Sequence, residues 1–326
     1  MTVSEISLFL RHLTLRKVSN FAIRSIATFW ARVSKRATEW GMPWSYSVEP
    51  ANYCNLHCRE CFTGMGLSQR KRHTITEDDF KTAVDNIKKH ALNLFLYFQG
   101  EPFINKDFHQ LVEYAHNCDI FTVTSSNGQL INALNAEQII TAGLDKIIIP
   151  LDGYNQESYS AYRSGGSLAA VKNAISLISN AKKRLKKRNP VVEVQCLASK
   201  ITENHLKEIK QMAMDCGADK FCVKTMQIET DDGFETFLPE NQRLSRYTKD
   251  KVLKHPIKFC RRVFQSVVIT SELDVLPCCY DKDTNFILGN LRHDTLTDII
   301  HSSAAFDFVR RILIFQRPKM CQNCQG

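Results

Sequence analysis

The stretch that decides the fold is a short cysteine-rich loop, which reads Cys54-Asn55-Leu56-His57-Cys58-Arg59-Glu60-Cys61. It places three thiols at C-x3-C-x2-C spacing directly after a strand-like run at 44–49. A cysteine-rich loop can wrap one corner of a cubane [4Fe–4S] cluster, which four thiolates usually complete. Three ligands would leave one iron open to a small chelating ligand. A three-cysteine zinc site and unrelated core thiols are the alternatives.

The composition is typical of a globular protein of the cell interior. The chain has 326 residues, of which 44% are hydrophobic and 24% charged, and this length predicts one large domain and a smaller one. No apolar run reaches the roughly 18 residues of a membrane span, and the apolar stretch at 6–10 is too short for a signal peptide. Twelve cysteines without a secretory signal indicate metal binding in a reducing compartment. We therefore predict a cytoplasmic metalloprotein.

The excess of basic residues is confined to one segment. The net charge is +9, and seven basic residues without any acidic one lie between positions 11 and 36. The remainder of the chain carries only about +2. A basic face for nucleic acid would need a wider distribution of charge, so we expect no nucleic-acid partner.

Residues 1–40 are predicted to form an amphipathic helix. Apolar side chains recur at steps of three and four residues and share one stripe: Leu15, Val18, Ala22, Ile26, Phe29 and Val33. Basic side chains lie on the opposite side: Arg16, Lys17, Arg24 and Lys35. This pattern is typical of peripheral contact with an anionic membrane surface. A helix packed on the protein or a partner with its charges solvated, or an organellar transit peptide, would share the pattern.

From residue 44 onward, strand-like runs alternate with helical patterns. The strand-like runs lie at 44–50, 93–98, 120–125, 145–151, 191–197 and 219–224. The helical patterns lie near 77–90, 105–117, 135–142, 156–181 and 203–216. Six strand-like runs that alternate with five helical patterns predict an α/β fold with a parallel sheet and right-handed crossovers. Ligands of such a sheet bind where the carboxyl ends of the strands meet.

Two short motifs follow the second and third predicted strands. Gly100, Glu101 and Pro102 follow the second strand, where a glycine lets the backbone approach a ligand and a carboxylate can bind an ammonium group. A plain turn before a helix is the alternative. Ser126 and Asn127 end the third strand. Their side chains can bind ribose hydroxyls or a carboxylate, although Asn-Gly also favours a turn.

These motifs in this order resemble the radical S-adenosylmethionine (radical SAM) enzymes. The resemblance implies a partial (β/α)6 TIM-like barrel in which Cys54, Cys58 and Cys61 hold a [4Fe–4S] cluster. The fourth iron of that cluster binds the amino and carboxylate groups of S-adenosylmethionine. One electron then cleaves the sulfonium and gives a 5′-deoxyadenosyl radical, which abstracts hydrogen from a C–H bond.

The resemblance also implies cofactor contacts. Gly100, Glu101 and Pro102 match a G-G-E-P-like motif that holds the methionine amino group, with Gln99 replacing the first glycine. Ser126 and Asn127 match a T-N-G motif at the tip of the third strand. Arg163 matches an arginine that pairs with the cofactor carboxylate, and a surface helix position is its alternative.

Two positions depart from the family pattern. Pro150 stands before Asp152-Gly153 where relatives often carry a serine that contacts the cofactor. Glu60 precedes the third cysteine of the loop, where an apolar residue usually contacts the adenine. Phe62 or backbone atoms would then have to take over that packing.

The α/β rhythm stops near residue 225. Residues 226–256 are polar and are predicted to form a linker or a loop on the substrate side. Beyond them lie five cysteines: Cys260, Cys278, Cys279, Cys321 and Cys324. Cys260 and Cys278 flank a hairpin-like pattern at 267–277, which we call the auxiliary hairpin. One residue of the adjacent pair together with the other three gives four thiolates, enough for a closed iron–sulfur or zinc site.

This cysteine-rich segment resembles the SPASM/twitch auxiliary domain of radical SAM enzymes. The resemblance implies one auxiliary [4Fe–4S] cluster held by Cys260, Cys278, Cys321 and Cys324, with Cys278 preferred over Cys279. The predicted domains are a basic helix at 1–43, a radical SAM core at 44–225, a linker at 226–256 and an auxiliary domain at 257–326.

The residues do not select a substrate. Members of the family mature peptides, oxidise a serine or cysteine in a target protein, or dehydrogenate small alcohols, and an electron donor such as flavodoxin or ferredoxin is implied. Candidates for an acid or base lie at the strand tips and near the auxiliary hairpin: Tyr97, Asp152, Lys224, Tyr280 and Asp281. The alternative is a non-catalytic scaffold protein with zinc in both cysteine sites.

Overall fold

One mixed sheet organises residues 3–325, which are the residues that this computed structural model describes, with side chains from residue 5. Nine strands form the sheet within that range: β1 (Ser45–Val48), β2 (Asn93–Phe95), β3 (Phe121–Ser125), β4 (Lys146–Pro150), β5 (Val191–Ala198), β6 (Lys220–Thr225), β7 (Ser266–Ile269), β8 (Asp274–Leu276) and β9 (Gly289–Asn290). Their spatial order is β6-β5-β4-β3-β2-β1-β7-β8-β9. The sheet is therefore open between β6 and β9.

The first six strands pair in parallel with their sequence neighbours. Helices connect them on one face: α3 (Glu77–Ile87), α4 (Phe108–Asn117), α5 (Ala133–Thr141), α6 (Gln156–Tyr162), α7 (Leu168–Arg184) and α8 (Leu206–Asp215). The main core lies between these helices and the sheet, where Tyr46, Leu94 and Val194 pack with Phe80 and Ile139. The predicted α/β fold is confirmed as a partial TIM-like barrel.

One predicted helix is two helices in the structure. The pattern at 156–181 is divided between α6 and α7, because Gly165 takes a left-handed conformation with φ +83° between them. Ser167 then caps the start of α7 by accepting a hydrogen bond from the amide of Ala170. In the same way, Thr76 caps the start of α3 by accepting a hydrogen bond from the amide of Asp79.

The N-terminal segment also forms two helices where one was predicted, α1 (Val3–Arg11) and α2 (Leu15–Ser34). Thr14 caps α2, and residues 12–14 separate the two helices. Residues 1 and 2 of the predicted helix lie outside the described residues. No helix of the described part is long and apolar enough to cross a membrane.

The two N-terminal helices cover the amino ends of the strands. His12, just after α1, lies with its Nε2 atom 3.1 Å from Asp145 Oδ1, immediately before β4. On α2, the Lys17 ammonium donates to the carbonyl of Asp119 before β3, and Arg24 Nε donates to that of Phe264 before β7. Asn20 bonds both backbone groups of Met42 before β1. The barrel is thus closed at the end opposite the predicted ligand site.

A charged cluster fills the closed end of the barrel. Glu193 on β5 accepts hydrogen bonds from Lys146 on β4 and Lys220 on β6, each at 2.7 Å. Lys146 also contacts Glu5 of α1 at 2.8 Å. Burial alone would raise the pKa of Glu193, but the two lysines hold that pKa at about 2. The carboxylate is therefore ionised at neutral pH and attaches three strands to one another.

The Glu193→Gln substitution should destabilise the fold by about 2 kcal/mol at neutral pH, the scale of a hydrogen bond to a charged group. Since the folded-state pKa lies below the unfolded value, the contribution is complete above about pH 5 and is lost as pH falls towards 2. Unfolding midpoints of both proteins, measured from pH 7 down to pH 3, should therefore converge. Glu113→Gln, at an exposed position of α4, is the matched control, and a constant difference between the wild type and Glu193→Gln at all pH values would contradict the assignment.

The predicted auxiliary hairpin continues the barrel sheet. β7 pairs in parallel with β1, and β8 and β9 follow in antiparallel order. Four further α-helices lie in the rest of the described sequence: α9 (Asp231–Phe237), α10 (Arg262–Gln265), α11 (Leu296–Ile300) and α12 (Ser303–Leu313). Residues 226–256 include α9 and bury an apolar cluster of Met226, Ile228, Phe237 and Tyr247. The predicted linker is therefore a packed segment.

Candidate active site

The cysteine loop leaves the carboxyl end of β1 and is attached to the segment that follows α6. The amides of His57 and Arg59 donate to the carbonyls of Ser164 and Tyr162, at 3.0 and 3.2 Å. Gly64 lies so close to Cys58 that an added Cβ would come within 2.6 Å of its backbone. These contacts fix the curvature of the loop.

The three thiols of this loop are partly or fully shielded from water. Burial raises the pKa of Cys54 to about 11 and also raises the pKa of Cys58, and the three sulfurs are close enough to influence one another. The thiols of Cys54 and Cys58 therefore stay protonated at neutral pH unless a metal takes the place of the proton. Donors approach two of the sulfurs, since Asn127 Nδ2 lies 3.5 Å from Cys54 Sγ and Arg163 lies 3.7 Å from Cys58 Sγ. Donors of this kind surround cluster thiolates.

Gly100 and Glu101 lie beside the cysteine loop at the end of the second strand. An added Cβ at Gly100 would lie 2.1 Å from the carbonyl oxygen of Ala51, so only glycine fits there. Glu101 is buried, and its carboxylate accepts hydrogen bonds from Ser126 Oγ and from the amide of Asn127, both at 2.8 Å. Pro102 begins a short 3₁₀ turn that Glu101 caps.

These residues form one network. Asn127 contacts Glu101 through its amide and both Cys54 and Asn55 through its side chain. Burial raises the pKa of Glu101, so a cation next to this carboxylate would stabilise its ionised form. The structure therefore brings together the predicted cysteine loop, Glu101, Ser126 and Asn127.

Arg163 lies beside the first cysteine loop, and its guanidinium pairs with Asp152. Its Nε and Nη2 atoms lie 2.7 and 2.6 Å from Asp152 Oδ2, and its third nitrogen faces Cys58. The other oxygen of Asp152 accepts the amide of Leu197 at 2.6 Å. Arg163 thus lies at the cluster loop with its charge already paired. Asp152 is fully engaged, which makes it a poor acid or base.

The remaining candidate acids and bases are scattered around the barrel. Tyr97 lines a cavity of about 610 Å³ together with Phe95, Arg262 and Cys279, and burial raises its pKa to about 12. Lys224 is exposed on the edge strand β6, on the same side of that strand as Lys220. Of these two candidates, only Tyr97 lines this cavity, and the auxiliary segment forms another part of the cavity wall.

Tyr280 and Asp281 lie next to the auxiliary cysteines. The guanidinium of Arg262 lies over the Tyr280 ring, 5.5 Å from its centroid. Asp281 is buried and accepts the amides of Asn285 and Phe286, both at 2.8 Å. Asp281 therefore shapes a turn, and this role explains its burial.

The auxiliary cysteines gather between the hairpin and the segment around Cys321. Cys260 lies close to each of the other three predicted ligands. The charge of one thiolate therefore raises the pKa of its neighbour in the pairs Cys260–Cys324, Cys260–Cys278 and Cys260–Cys321. Cys279 lies against Cys278, and its sulfur also accepts a hydrogen bond from Arg262 at 3.0 Å and lines the cavity. Both members of the pair are therefore close to the other auxiliary cysteines, and the preference for Cys278 as a ligand stays a prediction.

Comparison with known proteins identifies the family. Residues 48–213, about half of the chain, match the radical SAM superfamily, and residues 260–325 match SPASM, an iron–sulfur cluster-binding domain. The chain belongs to the radical SAM superfamily. It is an enzyme that uses S-adenosylmethionine and [4Fe–4S] clusters.

Two curated radical SAM relatives match part of the chain. The AdoMet-dependent heme synthase of Oleidesulfovibrio alaskensis is 27% identical over 121 residues, which are 35% of this chain and 29% of that protein. The mycofactocin maturase MftC of Mycolicibacterium smegmatis is 29% identical over 128 residues, which are 39% of this chain and 32% of MftC. The chain thus matches about three tenths of the length of each.

A solved radical SAM structure has the same fold over most of the chain. SuiB of Streptococcus suis bound to S-adenosylmethionine superposes with a TM-score of 0.67 at 16% identity. The superposition covers 91% of this chain and 75% of SuiB. It includes the barrel and the C-terminal strands of this radical SAM enzyme.

The cysteine spacing fits clusters better than single zinc ions. In the described residues, the one group of three or more possible ligands whose atoms lie within 4.8 Å of one another is His12, His116 and Asp145. Zinc holds its thiolates at about 2.3 Å, which brings the sulfurs closer than that limit. Both cysteine groups are more widely spaced, as a larger inorganic core requires.

Glu60 is a site residue whose role the sequence did not reveal. Its carboxylate accepts the amides of Glu229 and Thr230 at 2.6 and 3.2 Å, and the Thr230 hydroxyl at 2.6 Å. An added Cβ at Gly233 would lie 2.1 Å from Glu60 Oε1. Glu60, which replaces the usual apolar residue, therefore joins the cluster loop to the start of α9. This contact could not be predicted from the sequence, because Thr230 and Gly233 approach Glu60 only in the folded chain.

Proposed function

We propose that this radical SAM enzyme abstracts hydrogen from a peptide or protein side chain, and that the auxiliary cluster takes part in oxidising or holding that substrate. The observation that carries the proposal is the network of Cys54, Asn127, Ser126 and Glu101 at the carboxyl ends of the first three strands. When bound there, the cluster and S-adenosylmethionine supply a 5′-deoxyadenosyl radical. The contribution of the chain is to bind, orient and exclude water.

Glu101 is the proposed partner of the methionine ammonium group. Its oxygens already accept hydrogen bonds from the Ser126 hydroxyl and the Asn127 amide, and these bonds fix the carboxylate next to Cys54. A carboxylate held in this way loses no further side-chain freedom when it binds a cation, and the hydrogen bond is charge-assisted. Arg163 is positioned to orient Cys58 and, through Asp152, the end of β5.

The barrel cavity is the proposed substrate site. Its volume of about 610 Å³ is suitable for an amino-acid side chain with its neighbouring backbone. Tyr97 lies on the barrel wall, and Arg262 and Cys279 lie on the wall formed by the auxiliary segment. A substrate held between these walls would lie beside Cys279, next to the auxiliary cysteines and so close to an electron acceptor.

Two observations favour a peptide over a small metabolite. The structural neighbour SuiB has also been solved bound to its precursor peptide SuiA, and MftC is named a maturase. Also, a second open cavity of about 690 Å³ lies beside the first cysteine loop, lined by Phe62, Met65, Tyr280 and Asn323. Two open cavities can accept an extended chain, whereas a small metabolite usually occupies an enclosed one.

Deuterium transfer would test the proposal without a known substrate. Cells of the source organism are grown in heavy water, and their peptides and proteins are separated from their small metabolites. Each fraction is added anaerobically to the reconstituted enzyme with S-adenosylmethionine and reductant, and the released 5′-deoxyadenosine is examined by mass spectrometry. We expect deuterium from the peptide and protein fraction. Deuterium from the metabolite fraction alone would support a small-molecule dehydrogenase instead.

The electron donor is part of the same proposal. Reduced flavodoxin or ferredoxin is expected to replace a chemical reductant in the deuterium assay, because low-potential clusters need such a donor. Release of 5′-deoxyadenosine with either protein would support this expectation.

A further inference from the structure

Helix α2 turns polar side chains towards the protein and apolar side chains towards solvent, which is the reverse of an ordinary surface helix. A helix on a globular protein turns its apolar stripe towards the core and its charges towards water. Here Lys17 and Arg24 are buried, with 2% and 4% of their surface exposed. Leu15, Ile26 and Val33 are exposed to 91%, 61% and 65%. The apolar stripe that the sequence predicts therefore exists, but it faces outward.

Hydrogen bonds fix this orientation. Lys17, Asn20 and Arg24 bond backbone groups just before three different strands. Rotation of the helix by half a turn would remove these bonds and leave the carbonyls of the barrel unpaired. The outward position of the apolar stripe is thus specified by the buried side of the same helix.

We define the outer face of α2 by its exposed apolar side chains: Leu15, Val18, Phe21, Ile23, Ile26, Phe29, Trp30 and Val33. It continues onto neighbouring segments. The Trp40 ring lies 6.4 Å from that of Trp30, and Lys35 lies over the exposed ring of Phe315. Aromatic side chains at this density are typical of surfaces that enter the headgroup region of a bilayer.

Basic side chains border the outer face of α2. At about 100° per residue, Arg16 and Arg32 lie on its two flanks and Arg24 lies opposite. Arg11, Lys35 and Arg36 are exposed near its ends, and the segment from 11 to 36 contains no acidic residue. The border therefore complements a negatively charged surface.

We propose that the enzyme binds peripherally, through the outer face of α2, to a membrane surface that contains anionic lipid. Such a helix buries its apolar side about 5–10 Å into the headgroup boundary while its basic border contacts the headgroups. A second copy of the chain is a poorer occupant, because two such faces would bring the same basic borders together. A protein partner would need an acidic rim around an apolar groove.

Vesicle flotation with the reconstituted holoenzyme tests this proposal. We expect binding to phosphatidylcholine vesicles that contain about one third phosphatidylglycerol and little binding to phosphatidylcholine alone, with loss of binding at high salt. Ile26→Ser should weaken binding about tenfold. Leu134→Ser is the matched control, because Leu134 is 69% exposed on the distant helix α5.

The basic border has its own control pair. Arg16→Gln should weaken binding to the anionic vesicles about fivefold, while Lys172→Gln, at an exposed position near the start of α7 and so towards the carboxyl ends of the strands, should leave it unchanged. Unchanged S-adenosylmethionine cleavage by all four variants would show that each is folded. Failure of the wild type to float, or an equal loss with Ile26→Ser and Leu134→Ser, would overturn the proposal. A dimer that Ile26→Ser dissociates, without vesicle binding, would assign the face to a second copy and would also overturn it.

Discussion

Cys61→Ala should abolish reductive cleavage of S-adenosylmethionine and leave the auxiliary cluster in place. The loop offers three thiolates to the first cluster, and the loss of one leaves too few ligands to hold it. Iron content should fall from about eight to about four per chain. The rate of 5′-deoxyadenosine release should fall by at least about 10³-fold, the scale expected when an essential group is removed. Iron analysis and product chromatography on anaerobically reconstituted protein measure both quantities.

Two other cysteines provide the controls for Cys61→Ala. Cys118 ends α4, away from both cysteine groups, and Cys118→Ala should keep all the iron and the full cleavage rate. Cys324→Ala should show the converse loss, with the auxiliary iron absent and cleavage of S-adenosylmethionine retained. A Cys61→Ala protein that still cleaves the cofactor at the wild-type rate would refute the ligand assignment.

Glu101→Gln should weaken the binding of S-adenosylmethionine without loss of iron. The substitution removes the negative charge proposed to face the methionine ammonium group, at a site where Glu101 is only 3% exposed. Loss of one member of a buried charged pair costs roughly 2–5 kcal/mol, which corresponds to about a 30-fold to several-thousand-fold weaker affinity. Anaerobic titration calorimetry of the iron-loaded enzyme measures this change.

Ser126→Ala and Glu113→Gln separate charge from structure in this experiment. Ser126→Ala removes one of the hydrogen bonds to Glu101 and keeps the charge, so it should weaken affinity only about fivefold. Glu113→Gln removes an exposed carboxylate and should have no effect. Equal affinity of Glu101→Gln and wild type, with both proteins fully loaded with iron, would contradict the proposed role of Glu101.

Local sequence patterns were sufficient to predict the parallel strands and their connections. Strands joined by a crossover helix usually lie next to each other in the sheet, so the order of the strand–helix units along the chain determines the order of β1 to β6. The cysteine loop and Gly100–Glu101 follow strands and must meet at one end of the sheet. The structure places them in contact for that reason.

Contacts between segments distant in sequence could not be predicted in the same way. The periodicity of α2 shows that the helix has two faces, but which face is buried depends on carbonyls of Asp119 and Phe264 that lie far away in the chain. Likewise, Arg163 pairs with Asp152, and β7 pairs with β1 across more than half of the chain. Short motifs carry no information about these partners.

The position of α2 has a consequence for how substrates reach the enzyme. The helix crosses the amino ends of β1, β3 and β7, whereas Glu101 and the cysteine loop lie at the carboxyl ends. A bilayer in contact with the outer face of α2 would lie beneath the closed end of the barrel, and the opening would face the aqueous phase. Substrate and reductant would then arrive by diffusion from solution, with no need to be extracted from the acyl chains. Attachment would determine where in the cell the reaction takes place and leave the chemistry itself unchanged.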